Sequence, residues 1–386
     1  MLICQVFPKE NPANMGLSIK TEMGSGTRHS GIELLRLLSM VFILALHINF
    51  FAFGQPTSTS FESDFLGCSL RFFWESLTIV GVNTFVLISG WFGIRPKTKS
   101  VLALLFQCAF FCCALYMAGW VFGVDFSRRE ALRNLFLLGK ANWFIKSYLL
   151  LYILSPALES FVASASRRTF KALLLSFFVF QSIYGWLYPV AVYFSNGYST
   201  ISFVGLYLLA RYVHLFRPRF ATLPKWEDLG VFLCLTAITM LLGTLGTFGI
   251  LPQRISVFAY CSPFVIAGAL YLFLFFSKWD ISSRLVNETA RSSYAIYLFH
   301  AHPCVTHTLL VPTAANILQM RPMAHFVLLP LLLLAFALSA IALDRVRIIV
   351  WQRLSGFIPI QQSAVRIQSC GEDPRMDSEE SKDGAV

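Results

Sequence analysis

The chain has 386 residues, of which 56% are hydrophobic and 13% charged, and its mean hydropathy is +0.65. A soluble domain carries about 25% charged residues, so this composition excludes a water-soluble globular protein and fits a chain that threads a bilayer repeatedly. The formal net charge of +11 does not point to nucleic acid, because the basic residues lie scattered between apolar stretches, where they set topology.

In chain order, ten segments reach the ~20 mostly apolar residues that a spanning helix needs. They are 31–53, 72–94, 100–123, 143–164, 169–190, 199–217, 229–251, 255–277, 291–312 and 324–349. The eighth is interrupted by Pro263, and Pro303 is placed to kink the ninth. The predicted fold is all-α, a polytopic membrane helical bundle of about ten transmembrane helices. The expected divisions are an N-terminal tail (1–30), a transmembrane domain (31–351) and a polar tail (352–386) rich in Ser, Asp and Glu, expected to be disordered. The first residues lack a basic stretch followed by an apolar one, so no signal peptide is expected.

Most Lys and Arg flank alternate ends of these segments, among them Arg36, Arg95, Lys97, Lys99, Arg211, Lys278 and Arg345. Placing those ends inside puts both termini in the cytoplasm. One outer segment, "SRREALRNLFLLGKANWFIKSY", is itself basic. It reads either as an interfacial helix with its charges toward headgroups or as a site for a polar or anionic acceptor. The nine cysteines contain no Cys-x-x-Cys pair, and most lie in apolar runs as small core residues.

Ionisable residues within spans are expensive and therefore candidates for function. The first span, "GIELLRLLSMVFILALHI", carries Glu33, Arg36 and His47. At 100° per residue, Arg36 and His47 lie within about 20° of one helix face and ~16 Å apart along the axis. Glu33 falls on the same stripe within about 40° and can pair with Arg36 at i,i+3. The edge of the bilayer accounts for Glu33 and Arg36 by snorkelling, but His47 is too short and too deep for that. In the ninth span, "RSSYAIYLFHAHP", His300 reaches a depth similar to that of His47, with Tyr297 on its face. His302 points some 200° away on a regular helix, so no shared metal is expected from the two. Asn83, Ser89 and Gly90 in "GVNTFVLISGWFGIRPK" suit a close helix contact or a cavity wall, and packing is the simpler reading of Ser89 and Gly90. Trp143 and Tyr148 suit an interfacial belt, and Lys146 can snorkel outward.

Together these segments resemble the acyltransferase-3 family of integral membrane acyltransferases, which includes bacterial O-acetyltransferases of surface polysaccharides. Arg36 and His47 are separated by ten residues, as in the family's first-helix signature. "VNTFVLISGWFGIR" resembles its F-x-x-I-S-G helix end, "ANWFIKSYLLLYILSPAL" its W-[FY]…Y-x-x-x-P helix, and "SSYAIYLFHAHP" its Y-x-x-Y-L-x-H span. Asn83 stands where many members have Pro, and the basic pairs of some members are reduced to "IRPKTK".

The resemblance implies transfer of an acyl group, most often acetyl, from cytoplasmic acyl-CoA to a hydroxyl of a cell-envelope glycan or lipid-linked sugar, in a bacterial inner membrane. Acetyl-CoA is then a co-substrate, and no permanently bound cofactor, metal or nucleic acid is expected. Arg36, with Arg95 nearby, suits the donor phosphates. His47 serves as general base or as nucleophile, with Glu33 orienting Arg36. Asn83, Ser89, Trp143, Lys146, Tyr297 and His300 complete the expected substrate-binding set. A secondary transporter or flippase is the rival class, although 31–190 and 199–349 show no internal repeat of the kind common in transporters.

Overall fold

The structure, a computed structural model, describes residues 29–139, 142–320 and 322–355. Residues 1–28 and 356–386, which hold most of the two expected tails, lie outside the described residues, as do Lys140 and Arg321. Every regular element among the described residues is helical. This follows from the composition, since a backbone surrounded by hydrocarbon must satisfy its own N–H and C=O groups.

The first long apolar helix, Ser30–Phe53, consists of α1 (Ser30–His47) and a single turn, α2 (Phe50–Phe53), with a break between them. The short α3 (Ser58–Ser63) leads into α4 (Phe65–Thr78) and α5 (Gly81–Phe92), which together make the second, Phe65–Phe92. There follow α6 (Thr98–Val121), the charged α7 (Arg128–Leu135), α8 (Trp143–Ser164) and α9 (Arg167–Gln181), the last extended by a wide turn to Leu187. Then come α10 (Thr200–Phe216), α11 (Lys225–Thr247) and α12 (Pro263–Ser277). A broken stretch follows, α13 (Arg284–Ala290), α14 (Ser293–His300), α15 (Pro303–Val305) and α16 (Val311–Leu318), before the long α17 (Pro322–Ser355). Among the described residues seven helices are long and apolar enough to cross a membrane, and α10 and α12 are shorter apolar helices.

Three expectations change. Pro263 does not interrupt a helix; it opens α12 at its first turn, where the missing N–H costs nothing. The ninth segment is not one kinked span. Its helix stops at His300 and restarts at Pro303, then widens over Thr306–Leu310. The second begins at Phe65 rather than residue 72, because the apolar run bends at Ile79–Val80 and continues.

The core is arranged around α1, which packs against α4, α5, α12, α13 and α14 and touches α17. Leu35, Met40 and Leu44 are fully enclosed there. Two glycines set close approaches. A Cβ at Gly31 would stand 2.5 Å from the Phe276 carbonyl oxygen of α12. A Cβ at Gly90 would stand 2.6 Å from the Tyr207 carbonyl oxygen of α10, so Gly90 is there for packing, as its residue type suggested.

Candidate active site

α1 and α14 run side by side and both stop at a histidine. At the end of α1 the amides of Ile48 and Asn49 turn back to the carbonyls of Leu44 and Leu46. At the end of α14 Thr306 donates its hydroxyl proton to the His300 carbonyl at 2.5 Å, and Pro303 begins a new direction. The two helix ends bring His47 Nδ1 and His300 Nε2 to 2.9 Å, although the residues are 253 apart in sequence. His300 is 1% exposed and His47 is partly buried.

The hydrogen bonds assign the tautomers. His300 Nδ1 lies 2.5 Å from the Ile296 carbonyl oxygen, which can only accept, so Nδ1 carries the proton. An imidazolium here would be a buried charge with no carboxylate in contact, so both rings are neutral. His300 Nε2 is then an acceptor, and His47 must donate Nδ1–H to it. The lone pair of His47 is left on Nε2.

His47 lines a small cavity of about 10 Å³. Its other walls are Met40 and Ile43 of α1, Val82 of α5, Trp143 and Phe144 of α8, and the side chains of Tyr260 and Tyr297. That is room for about one water molecule. Tyr297 also packs on His300, edge to face at 5.9 Å. Trp143, Tyr198 and Tyr260 form one aromatic cluster at this site, with Trp143 and Tyr198 at 4.5 Å and Tyr198 and Tyr260 at 4.9 Å.

A larger cavity, about 230 Å³, lies between α5, α6, α8 and α14. Phe85, Leu104, Tyr148, Tyr152 and Tyr294 line it, and Phe144 belongs to both cavities. Its polar rim is the segment after α5. Tyr152 accepts the Lys97 amide at 2.6 Å beside the exposed Arg95 and Lys99, and Ser100 faces the cavity.

The expected residues divide between these places. Arg36 pairs with Glu33 at 3.2 Å, with their side chains 28% and 9% exposed, and it lies within electrostatic reach of Tyr148 on the wall of the larger cavity. Ser89 joins α5 to α8 through the Tyr148 hydroxyl at 3.2 Å. Asn83 is 1% exposed and donates Nδ2 to the Tyr260 carbonyl at 2.8 Å, which fixes one wall of the His47 cavity. Trp143, Tyr297 and His300 gather around His47. Lys146 is not brought to the cavity; it is exposed and donates to the Gly139 carbonyl at 3.2 Å. The regular helix assumed between His300 and His302 is absent, and His302 packs its ring on Tyr116 at 4.3 Å instead. No group of three His, Cys, Asp or Glu side chains suited to a metal occurs among the described residues.

Sequence reasoning missed Tyr260, Phe144 and Tyr152 as walls. Tyr260 sits in an irregular stretch before α12, and its only signal was Asn83, a buried amide that needed a distant partner.

The family model described as an acyltransferase domain, acyltransferase-3, matches residues 29–344, from the cap of α1 into α17. Neither a curated protein nor a solved structure matches the chain. With the match spanning most of its length and enclosing both histidines, the chain is an integral membrane protein that belongs to the acyltransferase-3 family.

Proposed function

We propose that this acyltransferase moves an acetyl group from cytoplasmic acetyl-CoA to a hydroxyl of a cell-envelope glycan or lipid-linked sugar in a bacterial inner membrane. The observation that carries this reading is the His47–His300 pair, which leaves His47 Nε2 unprotonated against an aromatic cavity. In the proposed arrangement ten passes place both termini in the cytoplasm, so the larger cavity and the 95–99 segment face the donor side.

The donor phosphates meet Arg36, Arg95 and neighbouring lysines, where a guanidinium offers paired donors. The pantetheine arm lies along the larger cavity and brings the thioester past Phe144 to His47. The acceptor hydroxyl approaches from the Tyr198 and Trp143 side. His47 Nε2 takes the hydroxyl proton as the oxygen attacks the thioester carbon; the C–O bond forms, the C–S bond breaks, and the proton passes to the CoA sulfur. His300 holds the tautomer throughout. Positive charge developing on His47 lies at the C-termini of α1 and α14, whose dipoles favour it by ~0.3–2 kcal/mol. An acyl-imidazole on the same Nε2 is the nucleophilic variant of this route.

The test incubates membranes containing the protein with acetyl-CoA labelled in the acetyl group. Label should pass to a glycan or lipid fraction. Transport of an unmodified solute with no label transfer would sink the reading in favour of a transporter.

A further inference from the structure

Outside the cavity, several polar clusters among the described residues are not used by the proposed chemistry, and one of them adjoins the site. It lies immediately beyond His47, where α1 breaks before α2. Asn49, in the break, donates Nδ2 to the Arg71 carbonyl at 2.8 Å and to Glu75 Oε2 at 3.0 Å, and accepts from Arg71 Nε at 3.1 Å. Arg71 also reaches the Gly54 carbonyl, just past α2, at 2.5 Å. Glu75 is 5% exposed and lies within electrostatic reach of the Phe50 backbone amide, the first of α2. The break itself and the end of α2 beyond it are thus tied to one face of α4.

A broken helix inside a bilayer leaves amides and carbonyls without partners, and each costs several kcal/mol unless the protein supplies one. Here the Ile48 and Asn49 amides turn back into α1, Arg71 supplies a donor to the Gly54 carbonyl past α2, and Glu75 holds the Asn49 side chain. The consequence reaches His47 through the next residue: Phe51 of α2 lies against the His47 ring at 5.1 Å although it is 72% exposed. The ring therefore has His300 on one side and a turn held by Glu75 on another.

We propose that Asn49, Arg71 and Glu75 form a positioning clamp that fixes the break after His47, and through it the imidazole orientation that directs Nδ1 to His300. Glu75 does not touch the reacting atoms; it acts through Asn49, Phe50 and Phe51. The role in transfer rests on the function proposed above, whereas the orientation of His47 does not.

The test uses full-length protein in lipid bilayers with ¹⁵N-labelled histidine. A scalar coupling across the N–H···N bond between His47 and His300 reports the orientation without any substrate. Glu75→Gln keeps an acceptor oxygen and should retain the coupling and kcat. Glu75→Ala should lose the coupling and lower kcat by about 10- to 100-fold, as for partners that orient metal-bound histidines, with the KM for acetyl-CoA unchanged. Asn49→Asp should do the same if Glu75→Ala does not fold, since it keeps the acceptor for Arg71 and removes the donors to Glu75. An unchanged coupling in folded Glu75→Ala or Asn49→Asp would overturn the clamp. Wild-type protein that shows the coupling but transfers no label would overturn the proposed function and leave the clamp standing.

Discussion

The two polar stations of α1 solve the same problem differently. Near its start, Glu33 and Arg36 neutralise each other three residues apart, and the Arg36 side chain stays partly exposed. At its end, His47 finds its partner on another helix, at a distance set by the packing of α1 on α14. The first arrangement needs only one helix. The second needs two helices to stop at the same depth. A local ion pair is tolerant of small movements, whereas a ring-to-ring hydrogen bond is lost when either helix slides by about 1 Å.

That contrast can be tested by variants ranked by expected effect. His47→Ala should lower labelled acetyl transfer by about 10²–10⁴-fold while protein remains in the membrane, since it removes the only proposed base. Near-normal transfer would end the assignment. His300→Phe keeps an aromatic ring but frees His47 to adopt the other tautomer, and kcat should fall about 10- to 100-fold with donor KM unchanged. Arg36→Ala should act on binding instead, raising the KM for acetyl-CoA by roughly 10-fold, or ~1.4 kcal/mol, with kcat nearly preserved. If Arg36→Ala lowered kcat and left KM alone, the two stations would not differ in the way described. Lys146→Ala should change neither parameter by more than about twofold, because its ammonium is exposed and bonded only to a nearby carbonyl.

Much of this site was legible in the sequence for geometric reasons. Helical periodicity alone placed Glu33, Arg36 and His47 on one stripe, and counting from Arg291 put His300 at the depth of His47. The first step held because α1 is regular up to His47; the second started from Arg291, in the turn before α14, and His300 still meets His47 because α14 is regular from Ser293 to His300. Beyond them the helical ruler failed. His302 follows a break, so an angle of 200° had no meaning for it, and Pro263 began a helix where it was expected to interrupt one. The wall supplied by Tyr260, and Tyr198 packed behind it, come from irregular chain, where position depends on tertiary contacts such as the Asn83 bond rather than on any repeat. Glu75, an ionisable residue inside the predicted span 72–94, carried the same signal as His47 and was missed, and its partner Asn49, 26 residues earlier, is set by tertiary packing rather than by any repeat.

Phe144 stands in the wall of both cavities, and that placement bears on the electrical duty of a membrane. Each 100 mV across a bilayer is worth ~2.3 kcal/mol per elementary charge, and a continuous file of water through a protein would discharge it. An enzyme that draws donor from one face and serves an acceptor on the other needs the two to meet without opening such a file. In the proposed reaction Phe144, shared by the 230 Å³ and 10 Å³ cavities, stands where the acyl group would pass from one to the other, and its ring is bulk that would interrupt a file of water there. The catalyst is then also an insulator.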